Sequence, residues 1–216
     1  MGADQVGAVR EVRRQLSLNG PPVLRDAPGD FGRISVPVES CDALRDLLVA
    51  ERVSRVVEVG LAYAASSLAI GEALLTVGGD APSHVVIDPF QETAWSGVGW
   101  EQLRSAGLDR IARLLVEPSS LALPGLLAEG YVADAAFVDG SHRFHEVFVD
   151  LYFLRKLVRP GGVIVLDDIR WPSVATAVRY FERDLGFEPV AVGSERLAAY
   201  RVPEPFEPSF ESFQPF

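Results

Sequence analysis

The sequence predicts an α/β domain: a mostly parallel, seven-stranded sheet with helices on both faces and an antiparallel hairpin at its C-terminal end. Short β-branched runs alternate with helical segments from residue 55 to residue 184, the rhythm of strand–helix–strand units. Those runs are largely apolar on both faces instead of alternating strictly with polar residues, as expected of strands covered on both sides. The end differs. "FEPVAV", "GSE" and "RLAAYRV" read as strand, turn and strand with no helix between, so the last two strands are expected to be antiparallel.

The elements follow in order. "MGADQVGAVREVRRQL" has the pattern of an amphipathic helix with charges throughout, unlike a signal peptide. "NGPPVLRDAPGDFGRISVPVES" is a Pro/Gly-broken connection ending near Ser40, a candidate N-cap for a helix through "CDALRDLLVAER". Strands are predicted at 55–59, 84–88, 112–116, 134–139 and 162–167, and helices near 66–77, 99–106, 119–129, 143–157 and 173–184. The tail "PEPFEPSFESFQPF" is too rich in proline for a helix or a central strand. Its phenylalanines, Phe206, Phe210, Phe213 and Phe216, suggest packing on the body or on a partner subunit. The chain thus divides into an N-terminal helix and capping segment (1–40), a main domain (41–202) and a Pro/Phe-rich tail (203–216).

Composition narrows the function. The 216 residues carry 20 Lys+Arg against 30 Asp+Glu, a net charge of −10, which disfavours a nucleic-acid or anionic-membrane surface as partner. One cysteine, Cys41, excludes an internal disulfide and any multi-cysteine metal site. No run approaches the roughly 20 apolar residues needed to span a bilayer. The expectation is a cytoplasmic protein, a homo-oligomer (a dimer) acting on a small molecule.

Ligands of open parallel sheets bind beyond the carboxyl ends of the strands. Each of the five predicted parallel strands ends in polar or turn-forming candidates: Glu58 and Gly60, Asp88, Ser119 and Ser120, Asp139 with Ser141 and His142, and Asp167 with Asp168. In "VVEVGLAYAASSLAI" Gly60 permits a tight turn, and Ser66 or Ser67 can cap the helix that follows. Ala62, Ala64 and Ala65 stand where a dinucleotide fingerprint calls for more glycine, which disfavours a nicotinamide site. Asp88 is placed either to accept hydrogen bonds from ribose hydroxyls or to form the turn before Pro89.

The set E-x-G at the first strand end, "IDPF", "EPSS", "FVDGSH" and "RPGGVIVLDD" resembles class I S-adenosylmethionine-dependent methyltransferases. Within that class it is similar to the small metal-dependent O-methyltransferases of the catechol and caffeoyl-CoA type and to a related bacterial branch, over roughly residues 35–190. The resemblance implies a Rossmann-like class I methyltransferase fold and O-methylation of a small-molecule hydroxyl, in secondary metabolism. It places Glu58, Gly60 and Ser66 at the methionine end of the cofactor, Asp88 at the ribose, and Ser119 and Ser120 beside the adenine. Asp139 is included in the cofactor edge. It further implies that Asp139, Asp167 and Asp168 ligate a metal. Ala64 departs from the glycine common in the family.

Three carboxylates supply oxygen ligands only, a set that suits Mg²⁺ or another hard divalent cation. Alternatively Asp167 ligates while Asp168 caps the segment "IRWPSV". A metal would lower the acceptor hydroxyl's pKa and orient it. His142 stands where the catechol-type enzymes carry a lysine base, and titrates in a range suited to that role. Its other reading is a helix cap or an adenine contact. Trp95 and Trp100 are candidates to cover the adenine, and Trp171 to wall the acceptor. Arg143 and Arg170 either read an acidic acceptor or balance the carboxylates. A cofactor-binding protein without turnover is the alternative function.

Overall fold

The computed structural model describes residues 3–21, 30–79 and 81–213. Helix α1 (Ala3–Asn19), a single turn α2 (Phe31–Ile34) and α3 (Val38–Ala50) precede the alternating unit. That unit runs β1 (Arg55–Val59), α4 (Ala65–Val77), β2 (Ser83–Ile87), α5 (Val98–Ser105), β3 (Ala112–Leu115), α6 (Ser119–Ala128), β4 (Ala133–Val138), α7 (Phe144–Leu157), β5 (Val158–Leu166) and α8 (Pro172–Leu185). Strands β6 (Glu188–Val190) and β7 (Ala198–Arg201) close the sheet. The strand order is β3-β2-β1-β4-β5-β7-β6. The first five strands are parallel, and β7 is antiparallel to both β5 and β6.

The fold class expected from the sequence is present, with three local differences. Ser40 does not cap α3: the helix begins at Val38 after Pro37, and the Ser40 hydroxyl instead lies 2.9 Å from that of Ser194. The turn α2 was not foreseen, because four residues between Pro/Gly breaks carry no helical period. The hairpin turn is also longer than "GSE", since β6 stops at Val190 and β7 starts at Ala198. Residues 22–29 of the expected connection and Phe216 lie outside the described residues.

Alternation along each strand divides the core. One face packs Val57, Val59, Val138, Ile164 and Leu166 against α6, α7 and α8. The other packs Val56, Ala135, Phe137, Val163 and Val165 under α3 and α4. Helix α1 docks on α4 through charge as well as apolar contact. The Glu72 carboxylate, 1% exposed, receives Arg10 Nε at 2.8 Å and also pairs with Arg13, which reaches Asp42 on α3 at 2.8 Å. A buried carboxylate is tolerated only when paired in this way. Among the described residues no helix is long and apolar enough to cross a membrane.

In the tail, Arg155 donates to the Phe206 carbonyl at 2.9 Å, and the Phe206 ring lies beside Gly186. Phe213 stacks near Tyr180, with ring centroids 6.4 Å apart. Phe210 is 90% exposed.

Candidate active site

Register puts the strand ends in one row. Ile87 pairs with Val59, Val59 with Val138, and Val138 with Leu166. One residue further on, the next row reads Asp88, Gly60, Asp139 and Asp167. Backbone hydrogen bonds hold it: Gly60 N to Ile87 O at 2.9 Å, Asp139 N to Val59 O at 2.8 Å, and Asp167 N to Val138 O at 3.0 Å. Pleat alternation turns this row toward the α3–α4 side of the sheet. Gly60 leaves a gap between the carboxylates. Its φ is +100°, and a Cβ there would lie 2.2 Å from the Asp139 carbonyl oxygen, so only glycine fits.

The turn after β1 is held by Asp88. Its carboxylate accepts from the Ala62 amide at 2.9 Å, the Leu61 amide at 3.2 Å and the Phe90 amide at 2.8 Å. Gln91 adds Nε2 at 3.3 Å, while its Oε1 receives the Gly99 amide at 2.9 Å at the head of α5. Asp88 is therefore both a turn clamp and a strand-end acid. Ala62 and Ala64 hold φ of 42° and 71°, a left-handed conformation that costs a non-glycine residue roughly 1–2 kcal/mol. The Asp88 bonds to Leu61 and Ala62 keep the turn in that shape.

Glu58 is fully buried, facing Ser66 Oγ at 2.6 Å, Ser67 Oγ at 2.5 Å and His84 Nε2 at 2.8 Å. The two serines thus do not cap α4, whose N-cap is Ala64 without a side-chain bond. They tie the helix to β1 instead. A cavity of about 20 Å³ beside Gly60 is lined by Ser35, Ser66 and Asp139. The Ser35 hydroxyl is buried there without a partner among the described residues. Ser119 and Ser120 open α6. Ser119 hydrogen-bonds Asp150 on α7, and Ser120 is exposed.

Beyond the row, His142 lies between two carboxylates. Its Nε2 is 2.9 Å from Asp168 Oδ2 and 3.7 Å from Asp139 Oδ1. The Asp139 carboxylate raises the imidazole pKa above its usual value, with Asp168 adding to the effect. Burial pushes the Asp139 carboxyl up to about 7. Asp168 turns the chain out of β5 with φ of 54°.

A cation already sits between the adjacent aspartates: Arg196. Its Nε meets Asp167 Oδ1 at 2.7 Å and Oδ2 at 2.8 Å, and its Nη2 meets Asp167 Oδ2 at 2.6 Å and Asp168 Oδ2 at 3.1 Å. Sequence reasoning missed Arg196 because it was counted as the first residue of a strand. The available signal was the hairpin. Pairing of Leu166 with Ala198, continued by two residues, sets Arg196 opposite Asp168. Arg143 and Arg170 do not balance the aspartates; they face Glu146 and Glu195.

The expected aromatic walls divide. Trp95 packs edge-on against Tyr63, 5.3 Å between centroids, and Tyr63 donates to Asp30 at 3.0 Å. Trp100 packs against the α1–α4–α5 cluster. Trp171 is 57% exposed next to the aspartate pair. His145 points away, 73% exposed.

Polar groups at the carboxyl ends of the central strands of a Rossmann-like sheet mark the edge where folds of this class bind their ligands. A family model described as "Methyltransferase domain" matches residues 57–169, and the chain belongs to that methyltransferase family. The structure is similar to cofactor-bound Rv0187 from MTB, with TM-score 0.69 and 19% identity over 94% of this chain and 92% of that one. It also resembles the Bacillus cereus O-methyltransferase in complex with SAH (TM-score 0.65, 16% identity, 93% and 92% covered). A third neighbour is TomG from Streptomyces achromogenes, an O-methyltransferase involved in tomaymycin synthesis solved with SAM (0.64, 20%, 94% and 91%). No curated protein matches the chain.

Proposed function

We propose that the chain transfers a methyl group from S-adenosylmethionine to a small-molecule hydroxyl, with His142 as base. The observation that carries this is the row Asp88–Gly60–Asp139–Asp167, with His142 set between Asp139 and Asp168 at its acceptor end. The bare strand end at Gly60 and the Ser35 hydroxyl beside it, without a partner among the described residues, support assigning the methionine end of the cofactor to this turn. Asp88 lies one strand away for the ribose. Glu58 and Ser66 act from beneath, by fixing the turn and α4. Ser119 and Ser120 stand at the adenine border.

The cofactor supplies an electrophilic methyl carbon on a sulfonium. The acceptor oxygen attacks in line: a C–O bond forms, the S–C bond breaks with its pair left on sulfur, and the hydroxyl proton passes to His142. The Asp168 and Asp139 carboxylates beside Nε2 favour the imidazolium that forms once the proton is taken. Positioning the reactants supplies most of the rate gain.

Divalent-metal assistance was the expectation for Asp139, Asp167 and Asp168. In this arrangement both Asp167 oxygens are engaged by Arg196. The donors that converge are Asp139, His142 and Asp168, within 4.8 Å of one another. A mixed set with nitrogen suits Mg²⁺ less well than three carboxylates would, and no step is routed through a metal here. A place in secondary metabolism belongs to this proposal, supported by the likeness to TomG, and a dimeric state belongs to it as well.

The test is calorimetric titration with S-adenosylhomocysteine, then mass spectrometry for a 14 Da gain across a panel of phenols and sugars. His142→Ala is expected to keep S-adenosylhomocysteine binding and lose on the order of 10²–10⁴ in rate. Binding without methyl gain on any acceptor would favour the non-catalytic alternative. A His142→Ala protein at wild-type rate would remove the base.

A further inference from the structure

We infer that Arg196 is the resident cation of the acceptor edge: its guanidinium occupies the place of a divalent ion, and methyl transfer runs without bound metal. This rests on the methyl-transfer reading above and extends it to the charge balance of the site.

The geometry is that of a built site. Asp167 has 0% side-chain exposure, and a carboxylate so placed needs a partner that stays. Arg196 provides three short contacts to it and a fourth to Asp168. Planar two-pronged pairing of this kind is the strong form of the guanidinium–carboxylate bond. With both Asp167 oxygens engaged, a metal ion can join the three-carboxylate shell only if Arg196 withdraws.

The backbone fixes the point from which the guanidinium reaches. Arg196 faces Asp168 because of the β5–β7 register, and its carbonyl accepts from the Ile169 amide at 3.3 Å. Its amide donates to Ser194 Oγ at 3.2 Å, and that hydroxyl is tied to Ser40 on α3. Glu195, the adjacent carboxylate that could compete for the guanidinium, pairs with Arg170. The side chain is 31% exposed, so its charge reaches the acceptor edge. Arg196 also shares Asp168 Oδ2 with His142, which holds the carboxylate that orients the base. Arg196 thus acts as a positioning residue.

The experiment measures Mn²⁺ binding by electron paramagnetic resonance and turnover in excess EDTA. It compares wild type, Arg196→Gln and Arg196→Lys, with S-adenosylhomocysteine affinity as the folding control. Wild type is expected to bind no Mn²⁺ below millimolar concentration and to keep its full rate in EDTA. Arg196→Gln should bind Mn²⁺ at least 10-fold more tightly and lose at least 10-fold in rate in EDTA, with part of that rate recovered on adding Mn²⁺. Arg196→Lys should fall between. Micromolar Mn²⁺ binding by wild type, loss of its rate in EDTA, or wild-type rate from Arg196→Gln in EDTA would each overturn the inference. If neither variant folds, the two wild-type measurements decide. If no acceptor is methylated, the Mn²⁺ titrations decide apart from the fate of the methyl-transfer reading.

Discussion

Replacing Asp150 by asparagine should stabilise the protein at alkaline pH. Asp150 lies on α7 with 1% exposure, and its Oδ1 has no partner among the described residues. Burial raises its carboxyl from 3.8 to about 6, against the opposing pull of the Ser119 hydroxyl. A folded pKa above the unfolded one means that the folded state binds the proton more tightly. Stability therefore falls as pH rises from about 4 to about 6, and the whole penalty is present above that. A shift of about 2 units corresponds to roughly 3 kcal/mol. Asparagine keeps an acceptor for Ser119 and carries no charge, so Asp150→Asn should gain about 1–3 kcal/mol at pH 8 and almost nothing near pH 4. Urea unfolding at pH 4, 6 and 8 measures the difference. An equal effect at all three values, or none at pH 8, would show that the Asp150 carboxylate is solvated and that the argument from burial fails.

Asp88→Ala should weaken S-adenosylhomocysteine binding by roughly 1–3 kcal/mol in calorimetry, since it frees the Leu61 and Ala62 amides and removes the acid proposed for the ribose; an unchanged dissociation constant would take Asp88 out of the proposed site. Gly60→Ala adds a methyl 2.2 Å from the Asp139 carbonyl oxygen and should cost at least about 2 kcal/mol in unfolding free energy, through overpacking and a positive φ; a melting temperature equal to wild type would contradict the close approach of β1 and β4. Deleting residues 204–216 removes the Arg155–Phe206 bond and uncovers Gly186; lower solubility or a changed sedimentation coefficient is expected, and an unaltered protein on both counts would make the tail dispensable.

The central sheet was legible because doubly apolar β-branched runs such as "GVIVL" and "HVVI" have one stable use, between two layers of helix. Those runs also fixed which polar residues follow each strand, so Asp88, Asp139, Asp167 and His142 could be named from spacing alone. What spacing does not supply is the partner of each group. Ser66 and Ser67 read as helix caps because serine at a helix start usually caps, yet a buried glutamate on β1 outcompetes the backbone for their hydroxyls. Arg196 was invisible for a different reason. Its meeting with Asp167 is a long-range consequence of antiparallel register, and the sequence marks the hairpin without marking its offset. Arg143 and Arg170 were nearer in sequence and therefore more tempting.

The row of strand ends has a consequence for how such a chain diversifies. The separation of Asp88, Gly60, Asp139 and Asp167 is set by the lateral spacing of hydrogen-bonded strands, about 4.8 Å per step, and not by any side chain. Backbone pairing thus works as a ruler. Two steps, about 10 Å, lie between the strand bearing Asp88 and the strand bearing Asp139, however the helices outside are rewritten. Substitutions on α1, α2, α8 or the exposed flank at Trp171 can reshape the acceptor's enclosure while the reach from one end of the row to the other stays the same. Neighbours at 16–20% identity that still superpose over more than nine-tenths of the chain are what a distance kept by the main chain would leave behind.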